Sequence, residues 1–381
     1  MARARLLALV ALVLAASLGC RVPGSIGVTA PTASASPTAA AAVASTALTV
    51  TPSPTLAPTA TETPTPAPTA TPIATPTPAP TPTATPNPDT EPVAWYIDSL
   101  RTRAYNGCCL ERTSVYEHGA SYTAWLVAYR SEGLRITGLM AVPNGSGPFP
   151  AVIVNHGHFA FNDYGPGWDT IREVRYLASH GYVAVAPDYR NYAGSDQGDY
   201  TFVPGYVYDV RNLILALQQL PEVRGDRIGM LGHSMGAGIT LQEIVSGADV
   251  QVAALFGTVS ADEAQYFDAR VHLWSATGQP DANTAAFFQK YGTPAQSPGV
   301  YAKMSPANYF ANVQIPVIIH HGTADTTTPL QWAKDVDAGL RAAGKSVQFY
   351  VYPGAGHSFN GADWDLAMAR TLALFDSVLK K

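Results

Sequence analysis

The pentapeptide Gly232-His233-Ser234-Met235-Gly236 fits the pattern G-x-S-x-G and contains a side chain that can attack a carbonyl carbon. A short, mostly apolar run at 227–231 precedes it and small residues at 237–241 follow, as expected where a buried strand turns sharply into a helix. Glycines on both sides of the serine let strand and helix approach closely, so a strained turn can expose the hydroxyl. We therefore predict that Ser234 is a nucleophile.

A serine at such a turn takes an acid and a histidine that follow it along the chain in that order. Asp325 comes after the strand predicted at 315–320, and His357 after the strand predicted at 347–352. Functional groups in open α/β sheets gather at the carboxyl ends of the strands, so both should lie near Ser234. We predict that His357 accepts the serine proton and that Asp325 orients and stabilises the imidazole.

Other side chains near these strand ends are alternative partners. Asp262 is an alternative to Asp325 for the acid, because it also follows a predicted strand. Four further histidines are expected to make local structural contacts rather than to transfer protons; they are His156, His233, His320 and His321.

Attack on a carbonyl group forms a tetrahedral oxyanion that needs hydrogen-bond donors. The residue after the nucleophile supplies one donor in this kind of turn, so we predict the backbone N–H of Met235. The second donor is expected from the loop after the strand predicted at 151–155. We assign it to the backbone N–H of His158, with that of Phe159 as the alternative and the hydroxyl of Tyr164 as a further one.

The order of apolar segments predicts an α/β fold. Continuous apolar runs are typical of strands covered on both faces, and such runs occur at 151–154, 183–186 and 252–256. Helical spacing falls between them, beginning at one place with a capping box from Thr170 to Glu173. The segment 122–142 alternates and predicts antiparallel edge strands. Together these patterns predict a mostly parallel, doubly wound sheet.

The segment 262–312 is too long for a tight turn and is rich in aromatic residues, so we predict a helical cap over the strand ends. Caps shape substrate choice and exclude water. Aromatic side chains near the predicted oxyanion loop, Phe159, Tyr164 and Trp168, are predicted to bind substrate. The alternative is that these rings only pack the cap against the core.

The first 92 residues predict localisation rather than fold. Residues 1–20 have a basic start and a short apolar core, which indicates an export signal. Cys20 lies in a context similar to a bacterial lipoprotein signal, so lipidation with a membrane tether and ordinary secretion both stay open. The Thr/Ala/Pro-rich tract 21–92 predicts a disordered, extended linker. We expect an exported protein, extracellular or anchored at the cell surface, with its catalytic domain at 93–381.

Composition narrows the range of partners. A net charge of −5 with 13% charged residues offers no basic face for nucleic acid. The nine histidines show no metal-binding spacing, and we expect neither a catalytic metal nor a cofactor. Cys108 and Cys109 are adjacent, and we expect two buried thiols rather than a strained disulfide ring.

From about Val115 to Lys381 the chain resembles the α/β-hydrolase superfamily, and it is most similar to the catalytic domains of prolyl oligopeptidases and dienelactone hydrolases. The resemblance implies the α/β-hydrolase fold with a cap insertion, and a serine hydrolase. The matching segments are Gly232–Gly236, His156-Gly157, Pro187-Asp188-Tyr189-Arg190 with Gly194-Ser195, Ser305-Pro306, His321–Asp325 and Gly356-His357-Ser358-Phe359.

Two departures from these families favour an esterase. Dienelactone hydrolases use a cysteine nucleophile where this chain has Ser234. Prolyl oligopeptidases usually carry a large β-propeller, for which this chain has no room. We therefore expect a carboxylesterase that acts on small or polymer-linked esters through an acyl-enzyme intermediate. A serine peptidase of the prolyl-oligopeptidase type is the alternative, and a non-catalytic surface binding protein is the second alternative.

Overall fold

The computed structural model of the protein describes residues 91–199 and 204–381. The predicted export signal at 1–20, the lipidation site Cys20, and the linker predicted at 21–92 up to residue 90 lie outside the described residues. Within the described ranges, no helix combines the length and the apolar character needed to cross a membrane.

One sheet of nine strands organises the described residues, in the order β1-β2-β3-β5-β4-β6-β7-β8-β9. Neighbours from β1 to β5 in this order pair antiparallel, and those from β5 to β9 pair parallel. The strands are β1 (Cys108–His118), β2 (Tyr122–Ser131), β3 (Leu134–Pro143), β4 (Phe149–Asn155), β5 (Val183–Pro187), β6 (Val223–His233), β7 (Val252–Phe256), β8 (Val317–Gly322) and β9 (Val347–Tyr352). The antiparallel pairing of β2 and β3 confirms the antiparallel strands predicted at 122–142, but the edge strand at this side of the sheet is β1.

Helices cover both faces of this sheet. The α-helices are α1 (Ile97–Thr102), α2 (Ile171–Ser179), α3 (Pro204–Leu217), α4 (Met235–Val245), α5 (Glu263–His272), α6 (Ala282–Tyr291), α7 (Pro298–Met304), α8 (Leu330–Ala342) and α9 (Gly361–Leu379). Residues of α3, α4 and α8 share one apolar core with the sheet, and residues of α2 and α9 share a second core. Strands that are buried on both faces appear in the sequence as continuous apolar runs. The doubly wound α/β fold was predicted from such runs, and that prediction is confirmed.

The segment between β7 and β8 contains α5, α6, α7 and a 3-10 helix at Pro306–Asn312. It has an aromatic core of its own, in which Phe267, Phe287 and Tyr301 are almost fully buried. Tyr96, just before α1, also belongs to this core, so the start of the described chain packs against the inserted helices. The cap is therefore stabilised by the segment before α1, which is distant from it in sequence.

The prediction of two buried thiols is wrong. Cys108 and Cys109 form a disulfide with each other at the start of β1, and Cys109 has φ 63°. Cys108 is half-buried and Cys109 is exposed. Strand β1 lies at the edge of the sheet and most of its residues face solvent, so this position offers no apolar interior in which two thiols could be buried.

The predicted capping box also differs from the structure. Thr170 precedes α2 with φ −118° and ψ −3°, outside the extended region in which a side chain can cap the helix. Its hydroxyl donates instead to the carbonyl oxygen of Gly167 at 3.4 Å. The carboxylate of Glu173 accepts the indole N–H of Trp364 at 2.5 Å, which fixes α2 against α9.

The first turn of α4 passes directly over the end of β4. A Cβ atom added to Gly236 would overlap the backbone carbonyls of Asn155 and His156, and one added to Gly232 would overlap the carbonyl of Gly236. No side chain can be moved aside to relieve these contacts. The two glycines of the G-x-S-x-G segment are therefore required by backbone packing between strand and helix.

We expect Gly236→Ala to lower the free energy of unfolding by about 1–3 kcal/mol or more, because overpacking against rigid backbone forces the helix off the sheet. Gly299→Ala in α7 is the matched control, since no atom lies within 4 Å of its added Cβ. That control should be neutral or stabilising by up to about 1 kcal/mol. Urea denaturation of both variants gives the comparison, and equal unfolding free energies would contradict this account.

Candidate active site

Ser234 stands between the end of β6 and the first residue of α4. Its backbone has φ 55° and ψ −119°, a conformation that costs a non-glycine residue about 1–3 kcal/mol. Its N–H donates to the carbonyl of Phe256 at 2.9 Å, and its own carbonyl accepts the N–H of Ala237 at 3.0 Å. Strand pairing on one side and the helix on the other hold this strained turn in place.

Asp325 follows β8 and His357 follows β9, and the structure brings the two side chains together. The distance from His357 Nδ1 to Asp325 Oδ2 is 2.8 Å. The second carboxylate oxygen, Oδ1, accepts the backbone N–H groups of Thr327 and Thr328, each at 2.8 Å. The hydroxyl of Thr328 donates to Oδ2 at 2.7 Å. The carboxylate is thus held by four donors.

Burial by itself would raise the pKa of Asp325, but the hydrogen bonds from His357 and Thr328 outweigh burial and lower that pKa to about 2. Asp325 is therefore a carboxylate at neutral pH and accepts the proton on His357 Nδ1. In the neutral ring Nε2 then carries the lone pair. This is the tautomer that a general base for a serine hydroxyl needs.

Ser234 and His357 line one cleft of about 550 Å³. No hydrogen bond joins the Ser234 hydroxyl to the His357 ring in this structure, and such bonds often become short only when substrate is bound. Both apolar and polar side chains form its walls. The apolar walls are Phe159, Met235, Val259, Tyr266 and Trp274, and the polar ones include Arg270, Ser275, Thr277, Gln279 and Asp281.

The alternative acid lies elsewhere. Asp262 is exposed and caps α5, where its carboxylate accepts the N–H of Ala264 at 2.8 Å. His320 is buried between the hydroxyls of Tyr352 and Thr371, at 2.8 and 3.0 Å. Burial lowers the pKa of His320 to about 3, so it stays neutral.

His321 is also buried, with Nε2 at 2.8 Å from the carbonyl of Thr328 and at 3.4 Å from Asp325 Oδ2. Both His320 and His321 occupy the end of β8, as predicted for structural histidines.

The residues of the predicted oxyanion donors line the cleft, and their N–H groups have no competing acceptors. Within residues 91–199 and 204–381, the backbone N–H groups of Met235, His158 and Phe159 have no hydrogen-bond acceptor from the protein. The N–H of Gly157 differs, because it donates to Asp169 Oδ2 at 2.8 Å. The choice between His158 and Phe159 for the second donor stays a prediction.

Two of the three predicted substrate-binding rings do not reach the cleft. Phe159 lines it, but Tyr164 is buried beneath the loop, where its hydroxyl donates to Asp188 Oδ1 at 3.2 Å and its ring stacks on His156. The same contacts prevent the Tyr164 hydroxyl from serving as an oxyanion donor. Trp168 is 55% exposed and lies outside the cleft, because the turn before α2 directs it to solvent.

Most of the cleft lining was missed by the sequence reasoning, including Tyr266, Arg270 and Asp169. Tyr266 and Arg270 are four residues apart on α5, a spacing that places them on one helix face and that could have revealed them. Asp169 has φ 68° in a loop and belongs to no motif, so the sequence carries no signal for it. Among the described residues, no group of three or more His, Cys, Asp or Glu side chains is placed to hold a metal ion.

Comparison with known proteins places the chain in one family of hydrolases. The model of the dienelactone hydrolase family matches residues 136–371. An uncharacterized peptidase, YtmA, from Bacillus subtilis is 28% identical over 64% of this chain and 88% of its own. A putative carboxymethylenebutenolidase from Synechocystis sp. is 26% identical over 61% and 85%. The crystal structure of acetyl xylan esterase 1 from Thermoanaerobacterium sp. superposes with a TM-score of 0.56 at 19% identity, covering 74% and 92%, and shows the same fold.

The role of Asp325 as the acid that orients His357 can be tested through the reactivity of Ser234. We expect Asp325→Asn to slow modification of Ser234 by a fluorophosphonate about 10³–10⁴-fold, because an asparagine holds the imidazole in the wrong tautomer. Asp262→Asn is the matched control and should leave the rate within about twofold, since asparagine also caps helices well. Single-turnover labelling followed by mass spectrometry measures both rates. A larger effect at Asp262 than at Asp325 would reverse the assignment.

Proposed function

The chain belongs to the dienelactone hydrolase family, and we propose that it is an exported serine hydrolase that cleaves carboxylic esters. The observation that carries the proposal is Ser234 on a strained turn, in one cleft with a His357 ring that is oriented by an ionised Asp325. Two of the relatives named above are a putative carboxymethylenebutenolidase and an acetyl xylan esterase, whose names support ester cleavage.

In the proposed reaction Ser234 Oγ attacks the ester carbonyl carbon while its proton passes to His357 Nε2. The electron pair of the carbonyl moves to oxygen, which forms the tetrahedral oxyanion. The backbone N–H groups of Met235 and His158 are the proposed donors to that oxygen, each worth about 3–4 kcal/mol of barrier lowering. The imidazolium of His357 is stabilised by Asp325.

Collapse of the intermediate breaks the bond to the leaving alkoxide, which takes the proton from His357 Nε2 and departs as an alcohol. Ser234 now carries the acyl group. A water molecule then gives its proton to His357 and attacks the acyl carbon, and the second tetrahedral intermediate releases the acid and restores the serine. No metal or cofactor takes part in this sequence of steps.

A serine peptidase is the second candidate, and the similarity to YtmA, which is named a peptidase, favours it. The same residues would serve, because His357 can protonate an amine as well as an alkoxide. The choice of substrate therefore depends on the walls of the cleft. Its apolar walls suit an apolar or small acyl group, and the polar cap residues suit a hydroxyl-rich or otherwise polar alcohol part of the ester.

Export is proposed from the basic and then apolar residues 1–20, with or without a lipid at Cys20. An extended tract at 21–92 would then separate the hydrolase from the envelope surface. The proposed substrates are accordingly esters outside the cell, either small or linked to a polymer.

A panel of p-nitrophenyl esters of graded acyl length, acetylated sugars, and aminoacyl and prolyl amides tests the proposal. We expect ester turnover well above amide turnover, and a loss of about 10⁴-fold or more in Ser234→Ala. Ser377→Ala on α9 is the control for replacing a serine far from the cleft, and it should keep full activity.

Two results would contradict the ester assignment. Amide turnover that rivals ester turnover would establish the peptidase. A folded protein that neither turns over any acyl substrate nor reacts with a fluorophosphonate would favour the non-catalytic binding protein.

A further inference from the structure

A second histidine and aspartate meet beside the proposed catalytic residues. His233, the last residue of β6, has Nδ1 at 2.8 Å from Asp169 Oδ2 and Nε2 at 3.2 Å from the backbone carbonyl oxygen of His357. The rings of His233 and His357 lie 4.8 Å apart. The side chains of His233 and Asp169 are only 16% and 13% exposed.

Both nitrogens of His233 face oxygen atoms that can only accept hydrogen bonds. A neutral imidazole has one N–H and would leave a lone pair directed at one of these acceptors. The doubly protonated ring satisfies both. Burial opposes that charge, but Asp169 and the His357 carbonyl outweigh burial and raise the pKa of His233 to about 9. His233 is therefore a cation at neutral pH, unlike a general base.

Asp169 extends the connection to the proposed oxyanion loop. The same oxygen, Oδ2, accepts the N–H of Gly157 at 2.8 Å. A Cβ atom added to Gly157 would lie 3.3 Å from Ser234 Cβ, so this loop rests directly against the proposed nucleophile. Although burial favours the neutral acid, His233 and Gly157 lower the pKa of Asp169 to about 2.

We propose that Asp169 and His233 are positioning residues, which hold the oxyanion loop and the loop of the general base at fixed places on either side of Ser234. The proposal rests on the proposed esterase function. One hydrogen-bonded path runs from Gly157 through Asp169 and His233 to the backbone of His357. Its first end lies next to the proposed donor at His158, and its other end is the residue that carries the proposed base.

His158 and His357 are both on loops outside helix and strand, so the parallel sheet alone does not fix the distance between them. A misplacement of about 1 Å of a catalytic group costs on the order of 10²-fold in rate. The hydrogen-bonded path through Asp169 and His233 fixes groups that act in the transition state more than in substrate binding. Loss of this path should therefore lower kcat and leave KM nearly unchanged.

The titratable and charged side chains around His233 come from the loop before α2, from α2 and from the loop after β9. They are Asp169, then Arg172 and Glu173, and then His357. Because the pKa of His233 is raised by folding, the contribution of its charged form is present below about pH 6.5 and is lost as the pH rises through about 9. A decline of kcat on the alkaline side should coincide with this titration.

The test compares Asp169→Asn and His233→Gln with wild type, and with Asp163→Asn as a control acid that is exposed at the end of the oxyanion loop. Thermal unfolding shows which variants fold. In the folded variants we expect kcat on a p-nitrophenyl ester to fall about 10–100-fold with KM within about threefold, and Asp163→Asn to match wild type. Asp169→Glu, which keeps the charge, should recover part of the loss.

A titration of ¹⁵N-histidine-labelled protein gives a readout independent of turnover. We expect His233 to titrate near pH 9 in wild type and at least one unit lower in Asp169→Asn. If both variants fail to fold, the pH profile of the wild-type protein is the test, since its kcat must decline over the same pH range in which His233 loses its proton. Unchanged kcat in folded variants, or activity that stays constant while His233 loses its proton, overturns the positioning role. Absence of any Ser234-dependent turnover in wild type would instead overturn the proposed function.

Discussion

The backbone at Ser234 can hold its strained conformation only because two chain segments meet there without side chains between them. Gly236 lies against the carbonyls at the end of β4, and Gly232 lies against Gly236, so strand β6 must turn into α4 within one residue. That turn sends the serine side chain out of the sheet edge and leaves the first N–H of α4 without a protein acceptor. The other groups of the candidate site lie at the same end of the sheet, since the oxyanion loop, the acid and the histidine follow β4, β8 and β9, which belong with β6 to one run of parallel strands.

Two His–Asp pairs lie side by side at the carboxyl ends of these strands, and their hydrogen bonds differ. Asp325 takes one nitrogen of His357 and leaves the other toward the cleft, which suits a ring that must gain and lose a proton. His233 has an acceptor at each nitrogen and is held as a cation, which suits a ring that must stay where it is. The chain order predicts His357 as the base and His233 as a structural contact, but it does not show what His233 contacts. Its two acceptors, Asp169 and the carbonyl of His357, are seen only in the structure.

The parts of the structure that were predictable from sequence are those encoded by continuous patterns. Buried parallel strands are uninterrupted apolar runs, and the chain order of Ser234, Asp325 and His357 follows the strand ends, so both could be recognised. The misses concern single residues whose partners are distant in sequence. Thr170 and Glu173 have the spacing of a capping box, but α9 supplies Trp364 as a better partner for the carboxylate. Tyr164 and Trp168 are near the oxyanion loop in sequence, yet one packs beneath it and the other faces solvent. Asp169 adopts a left-handed conformation that no pattern of residue types in the sequence predicts.

The cap supplies a large part of the cleft lining. Its helices α5 and α6 are joined by Arg270, which donates to Thr284 at 2.8 Å and to Asp281 at 2.7 Å, and Arg270 and Asp281 both line the cleft. Trp274 is fixed by a hydrogen bond from its indole N–H to the carbonyl of Thr327, two residues from Asp325, so the cap is tied to the loop of the acid. The cleft therefore offers both apolar and polar surface to a bound molecule. Much of that surface belongs to the cap, whereas Ser234, Asp325 and His357 belong to the strand ends beneath it.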